Sequence, residues 1–567
     1  MPQLMFGFGK TVKDPLADAK TAERWVAGFP ANDPMSVHAA LLPELGRLTE
    51  RDAKRTPSRL EAVFRVDAHT DALRKMLTTQ YLEHGSRSTR VESQLWQALF
   101  DLAQGLLLCY QAFGREVSNH AQSNKWQSLL PELIARQVVH QGVDAKVRLF
   151  RYEQWIPAKW ADLHALFQMA CSAQIERQPV AVLAGGAITT IEQEYLRVLV
   201  LQLMNSGNLT PGHLEWISEQ LSEWCAALRL NIEASTVSSF YVDLGSRSGL
   251  RRRSPQPLEG RVLFLDTRPL HAVLMQNVVV LEQKVRNNPL SERTPRRAEQ
   301  LSLLTKLASQ VDPECRPFAR RGERTNAEGS VDAIIGFSKI AGFLRDDEMA
   351  PFFDPKRRAG NFGHAVEIAT FGRMRTDQAR TLEMARRRLA NYAAPGGPWQ
   401  IRDVSQTGFR LVAPMSVING VTLGTLAAIR PQDQSLWTLG IVRRMKRLTA
   451  ERAEIGLQVI ANNLVGVELH ESKRVDDDYS LDGESSTLNS RHFSGLFLSL
   501  QKRETEPVVQ TLVVPPGEYQ PGKRLRMSSG ESSRRIAFGR LLEQHPDWVW
   551  ATVESVEAQP KTDTAAP

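Results

Sequence analysis

Two short polar segments in the second half of the chain have residue types suited to binding an anionic purine. The first is Arg320-Arg321-Gly322-Glu323-Arg324, and the second is Asp403-Val404-Ser405-Gln406-Thr407-Gly408. Guanidinium groups bind phosphates through paired hydrogen bonds and stack on flat purine faces. A carboxylate accepts hydrogen bonds from the N–H groups on the Watson–Crick edge of guanine, and glycine permits a tight turn. Together the segments predict a nucleotide site that needs no catalytic group.

The region around these segments alternates short apolar runs with polar turns, a pattern typical of a barrel or a sandwich. Strands are predicted at Val331–Phe337, Gln400–Asp403, Gly408–Ala413, Leu423–Arg430, Leu436–Met445 and Ala453–Ile460. A second cluster of strands is predicted at Gly495–Leu500, Val508–Val514, Arg524–Met527 and Ile536–Leu541.

The order of these features resembles the PilZ domain family, whose members are small β-barrels that bind the bacterial messenger cyclic di-GMP. In that family an Arg-x-x-x-Arg motif precedes the first barrel strand, and an Asp-x-Ser-x-x-Gly motif lies between later strands. The resemblance covers roughly residues 315–465. It implies that two arginines, with a third as a substitute for either, clamp phosphate and guanine. It also implies that two polar side chains bind a guanine edge and that one glycine shapes the turn. These residues are Arg320, Arg324 and the substitute Arg321, then Asp403 and Ser405, then Gly408.

The two motifs stand about 80 residues apart, farther than is usual for the family. An insertion at about 346–398, read as a loop followed by a basic helix, accounts for this spacing. Insertions in surface loops add little to the entropy of loop closure. Arg386-Arg387-Arg388 lies nearer to Asp403 along the chain and is a rival source of the arginine clamp. Its apolar neighbours favour a helix over the approach to a strand.

The N-terminal half has the periodicity of helices. Leu41, Leu42, Leu45 and Leu48 recur on one helical face. A capping residue followed by proline is typical of a helix start, because the oxygen accepts a backbone N–H and proline has no N–H to leave unpaired. Such pairs occur at Asp33-Pro34, Thr56-Pro57, Thr210-Pro211 and Thr294-Pro295. Further helices are predicted at about 269–287 and 295–310, after short strands at Phe240–Leu244 and Val262–Leu265.

The predicted fold class is α+β: a helical region, then a PilZ-like antiparallel β-barrel, then a small C-terminal β-region. The predicted domains are a helical domain (1–235), a mixed α/β connector (236–314), the barrel (315–470), the C-terminal β-region (490–556) and a disordered tail (557–567).

Bulk properties narrow the functional class. Lys and Arg number 71 and Asp and Glu 63, so the net charge of +8 is modest and diffuse. The four cysteines form no Cys-x-x-Cys pair, which favours buried, reduced thiols and the cytoplasm. The chain lacks an apolar run of about 18 residues, so no membrane span is predicted. His-Glu-x-x-His and Gly-x-Ser-x-Gly patterns are absent from the sequence, so neither a metal site nor an enzyme is predicted.

The resemblance to PilZ domains therefore implies a receptor for cyclic di-GMP, without cofactor, whose helical region changes its contacts with a protein partner in bacterial motility, pilus or biofilm signalling. One alternative is a degenerate PilZ-like interaction module that binds no nucleotide. The other is a binder of nucleic acid or another polyanion, which the positive net charge and the arginine clusters favour.

Overall fold

The computed structural model divides into two compact units, Met1–Ala319 and Arg320–Pro567. The structure describes residues 14–84, 88–120, 122–182, 187–205, 207–235, 239–253, 260–287, 294–314, 325–353, 389–394, 397–405, 407–418, 421–431, 437–462, 464–471, 492–500, 509–529 and 532–556. The predicted tail (557–567) and residues 354–388 of the predicted insertion lie outside these ranges.

The first unit is mainly helical. Its helices are α1 (Ala19–Val26), α2 (Pro34–Thr49), α3 (Pro57–His84), α4 (Thr89–Asn119), α5 (Asn124–Phe150), α6 (Pro157–Ser172), α7 (Ile191–Met204), α8 (Pro211–Trp224), α9 (Arg268–Asn287) and α10 (Thr294–Val311). A four-stranded sheet in the order β1-β4-β2-β3 accompanies them. Its strands are β1 (Leu230–Asn231), β2 (Phe240–Asp243), β3 (Arg251–Arg252) and β4 (Val262–Leu265).

The capping signals explain where several helices begin. Asp33 accepts a hydrogen bond from the backbone N–H of Ser36, and Pro34 takes the first helical position of α2. Thr210 caps α8 in the same way, and the side chain of His213 completes a capping box. The proline starts predicted for α2, α3 and α8 are confirmed, while α10 begins one residue earlier, at Thr294.

One continuous apolar core holds the helical unit together. Tyr110 and Tyr195 are among its fully buried side chains. Cys109 and Cys225 are buried, as expected, but Cys171 is exposed, so the prediction of a buried thiol was wrong there. Cys171 lies near the end of α6, where an apolar sequence pattern does not guarantee a facing partner.

The second unit begins with a sheet that closes on itself. Its strands are β5 (Thr325–Asn326), β6 (Ser330–Ile335), β7 (Trp399–Ser405), β8 (Gly408–Pro414), β9 (Leu426–Pro431), β10 (Thr438–Arg447) and β11 (Arg452–Ala461), with helices α11 (Phe337–Phe353) and α12 (Met415–Ile418) between them. The strand order is β5-β7-β6-β9-β10-β11-β8. Because β8 also pairs with β7, six strands form a closed antiparallel barrel, and β5 forms an additional pairing with β7.

Six further strands form a second closed antiparallel barrel, in the order β12-β13-β14-β17-β16-β15. They are β12 (Val465–Glu471), β13 (His492–Leu500), β14 (Val509–Val514), β15 (Arg524–Ser529), β16 (Ser532–His545) and β17 (Trp548–Ser555). The predicted fold class is confirmed, and the predicted C-terminal strands belong to this barrel. The sequence prediction missed β12 and β17, the strands that complete the ring.

The two barrels share an apolar interface. Apolar residues of β9 and β10 cluster with residues of α11, β13, β14 and β17. Trp548 is fully buried in this cluster, and its ring N–H donates to the carbonyl of Gly424 at 3.1 Å. Arg443 on the first barrel forms two hydrogen bonds to Glu543 on the second, at 2.6 and 2.7 Å. The barrels are therefore packed as one body.

None of the helices within the described ranges combines the length and the apolar composition that crossing a bilayer requires.

Candidate functional site

The fixed residues of the Asp-x-Ser-x-x-Gly motif lie at the end of β7 and the start of β8 in the first barrel. Asp403 pairs with Arg410, and Ser405 pairs with Gly408, across this hairpin. The hydroxyl of Ser405 donates to the carbonyl of Gly408 at 3.2 Å and so closes the turn. A side chain at position 408 would collide with the carbonyl oxygen of Leu457 on β11. Glycine is needed there because β11 lies against the backbone. Its predicted role in shaping the turn stays a prediction.

The carboxylate of Asp403 is almost completely buried, with 2% of the residue exposed. Arg410 binds it through both Nε and Nη2. A buried carboxylate requires such a partner, because removing an unpaired charge from water is costly. The side chain of Arg410 remains 42% exposed and reaches towards Glu454, at 3.9 Å. The site thus holds its central carboxylate in an ion pair that the motif alone does not predict.

The short strand β5 runs alongside this hairpin. Thr325 pairs with Val404, and Asn326 pairs with Asp403. Thr325 directly follows Arg324 in the chain. The end of the arginine segment is therefore joined by one peptide bond to a residue that pairs inside the Asp-x-Ser-x-x-Gly motif.

The predicted arginine clamp itself lies outside the described residues. This applies to Arg320, Arg321 and Arg324 and also to the rival Arg386-Arg387-Arg388. The structure brings together Asp403, Ser405 and Gly408, and the role of the arginines remains a prediction. The sequence prediction missed Arg410. Because it follows Gly408 by two residues on a strand, it lies on the same face of the sheet as Gly408.

The helical unit contains a separate buried polar network. Asp67 on α3 accepts hydrogen bonds from Tyr110 at 2.8 Å, from Arg136 at 2.8 Å and from His140 at 2.9 Å. Burial by itself raises the pKa of Asp67, but the ring of His140 and the guanidinium groups of Arg136 and Arg74 outweigh it and hold that pKa well below its usual range. These hydrogen bonds link α3, α4 and α5 around the negative charge of Asp67.

A cavity of about 270 Å³ lies beside this network, between α3, α5, α7 and α8. The basic residues of its lining are paired with carboxylates, for example Lys146 with Glu215 at 2.6 Å and Arg74 with Asp71 at 3.2 Å. Because these charges already satisfy one another, the cavity has no evident preference for an anionic ligand.

Residues 20–235 match the family model of the cyclic-di-GMP receptor FimW, N-terminal domain. This stretch covers α1 to α8 and less than half of the chain, and it ends before either barrel begins. No curated protein matches the chain. The helical region is thus similar to the N-terminal domain of a cyclic-di-GMP receptor, while the barrel with the Asp403 hairpin lies outside the matched residues.

Proposed function

We propose that the protein is a cytoplasmic receptor for cyclic di-GMP and that the first barrel is its PilZ domain. The ligand binds at the β7–β8 hairpin, and the arginine segment supplies further contacts to it. The protein acts by binding, without catalysis and without a cofactor or metal.

Two independent features favour this ligand. The helical region is similar to the N-terminal domain of a cyclic-di-GMP receptor. The first barrel, outside that match, has the motif order that the PilZ resemblance requires: arginine segment, strand β6, strand β7, then the Asp403 turn. Since the two features lie in different units of the chain, neither follows from the other.

The observation that carries the proposal is the pairing of Thr325 with Val404. The two motifs are far apart in sequence, and a site requires them to meet. A peptide bond joins Thr325 to Arg324, and consecutive Cα atoms are about 3.8 Å apart. The long intervening stretch therefore does not prevent Arg324 from reaching Asp403.

Each residue has a role that its chemistry allows. Asp403 accepts the N–H donors of a guanine edge, and Ser405 adds a hydroxyl beside it. Arg320 and Arg324, with Arg321 as a substitute, bind phosphate and stack on guanine. Gly408 keeps the turn close to β11. Contacts between guanidinium and phosphate would bias the contacts of the helical region with a protein partner, in motility, pilus or biofilm signalling.

Calorimetry on the full chain with cyclic di-GMP tests this proposal. We expect binding to the wild type and its loss in both Arg324→Ala and Asp403→Asn. Asp332→Asn is the matched control, because Asp332 forms an ion pair with Arg430 at 2.9 Å elsewhere on the same barrel. A wild type that does not bind, or variants that bind as well as the control does, would contradict the proposal.

The ion pair between Arg410 and Asp403 favours one alternative, a degenerate PilZ-like module in which the carboxylate only stabilises the fold. That protein would not bind cyclic di-GMP, and Asp403→Asn would lower its thermal stability without any effect on a ligand.

A further inference from the structure

Four residues form a continuous row across the outside of the first barrel. Asp403 on β7 pairs with Arg410 on β8, Arg410 pairs with Gly456 on β11, and Gly456 pairs with Arg444 on β10. Residues paired directly opposite one another have their side chains on the same face of a sheet. The neighbouring Leu411, Leu457 and Met445 point to the other face, where they are buried.

Two β-bulges create this row. One lies on β7 between Ile401 and Asp403, and the other lies on β10 between Val442 and Arg444. A bulge re-aims the side chains that follow it. On β10 the consecutive Arg443 and Arg444 consequently have different surroundings: Arg443 is bound to Glu543 and to Gln458, at 2.7 Å, while Arg444 is exposed.

Gly456 leaves space between the two arginines of the row. A Cβ at this position would lie 3.1 Å from the Cβ of Arg444 and 3.7 Å from its Cγ. Without it, the stem of Arg444 lies against β11, on the side towards Arg410. Adjacent strands are about 4.8 Å apart, so the backbones of β8 and β10 are separated by about 10 Å across the glycine.

The two arginines differ in what they bind. Within the described part of the chain, Arg444 has no hydrogen-bond or ion-pair partner, whereas Arg410 is bound to Asp403. A buried carboxylate must keep donors, but the donors can be exchanged. The N–H groups of a guanine edge can replace the guanidinium on Asp403, which leaves Arg410 next to Arg444 on an exposed surface.

We propose that Arg410 leaves Asp403 when guanine binds there and then forms, with Arg444 across Gly456, an anion subsite for a phosphodiester of the ligand. This inference rests on the proposed cyclic di-GMP function and extends it to two arginines outside both motifs. Guanidinium groups suit this role because they bind phosphate oxygens through paired, charge-assisted hydrogen bonds.

Titration of the full chain with cyclic di-GMP, comparing Arg444→Gln with Lys446→Gln, tests the subsite. Lys446 lies two residues farther along β10, is exposed, and pairs with Glu454. We expect Arg444→Gln to weaken binding about tenfold or more, the effect of losing a hydrogen bond to a charged group. Lys446→Gln should stay within about twofold of the wild type, since Glu454 opposes it.

The outcomes separate the two proposals. If the wild type binds and Arg444→Gln binds equally well, the subsite is refuted while the receptor function stands. If the wild type itself does not bind, both fail. A crystal structure of the full chain with cyclic di-GMP tests the exchange directly: we expect Arg410 on a phosphate, and Arg410 still on Asp403 would overturn the inference.

Discussion

Asn326 pairs with Asp403 in an antiparallel ladder, although a long stretch of chain separates them. This pairing attaches the segment that follows the arginine motif to the strand that carries the carboxylate. Asp403 is simultaneously held by Arg410 from the opposite strand. The candidate site is therefore built from three strands, β5, β7 and β8, and it depends on contacts that are distant in sequence.

Gly408→Ala should destabilise the first barrel. The added methyl group would collide with the carbonyl oxygen of Leu457, and neither backbone can retreat without breaking the pairing of β8 with β11. Overpacking of this kind costs about 1–3 kcal/mol of unfolding free energy. Chemical denaturation of both variants measures it, with Gly517→Ala as the control because no atom lies within 4 Å of its added Cβ. Equal losses in the two variants would refute the steric argument.

Asp67→Asn should destabilise the helical unit by about 1.5–3 kcal/mol, because the buried Arg136 would lose a hydrogen bond to a charged group and keep only Glu132, whose side chain is 32% exposed. Asp71→Asn, one turn farther along α3, should cost less than about 1 kcal/mol, since its ion pairs with Arg74 and Lys75 are partly exposed. Urea denaturation followed by circular dichroism compares the two. A similar loss in both would mean that the buried network contributes little.

The stability of the helical unit should fall as the pH drops below about 6.5. Burial lowers the pKa of His164, whose Nδ1 accepts from the hydroxyl of Tyr195 at 2.7 Å and whose Nε2 donates to the carbonyl of Ser248 at 3.0 Å. The hydrogen bond to Ser248 and the charge of Asp243 oppose this shift in the pKa only in part. The unfolded chain therefore takes up a proton at a pH where the folded chain does not, which favours unfolding.

His164→Gln keeps one donor and one acceptor but removes the titrating group. Unfolding free energies measured at pH 7.5, 6.5 and 5.5 should decline less steeply for this variant than for the wild type. His140, whose pKa burial also lowers, leaves a residual decline of the same sign. An identical decline in variant and wild type would rule out a contribution from His164.

Trp548→Ala should destabilise both barrels together. Its ring fills the interface between them and donates to Gly424, and truncating a buried tryptophan costs about 3–5 kcal/mol. Because the two barrels share this core, we expect one cooperative unfolding transition at a lower denaturant concentration. Leu541→Ala is the control, since that side chain is 40% exposed on β16. Two separate transitions in the wild type would contradict the shared core.

Local signals in the sequence were sufficient for much of the fold. Asp33 and Pro34 mark the start of α2, and alternating apolar residues mark most strands of the first barrel, because capping and side-chain alternation act within a few residues. The same locality identified Asp403, Ser405 and Gly408 as one turn. One predicted boundary was wrong. The strand predicted to end at Phe337 ends at Ile335, and α11 begins at Phe337.

The sequence by itself determined the helical N-terminal region, the strand-rich second half and the hairpin with its carboxylate, hydroxyl and glycine. Only the tertiary structure decided that two barrels close, that Thr325 reaches Val404, and that Arg410 holds Asp403 beside Gly456 and Arg444. The physical reason is that strand order and bulges set these contacts. Closure of a barrel pairs strands that are remote in sequence. A single bulged residue moves the side chains that follow it to the other face of the sheet, and no local sequence pattern predicts where the bulge occurs.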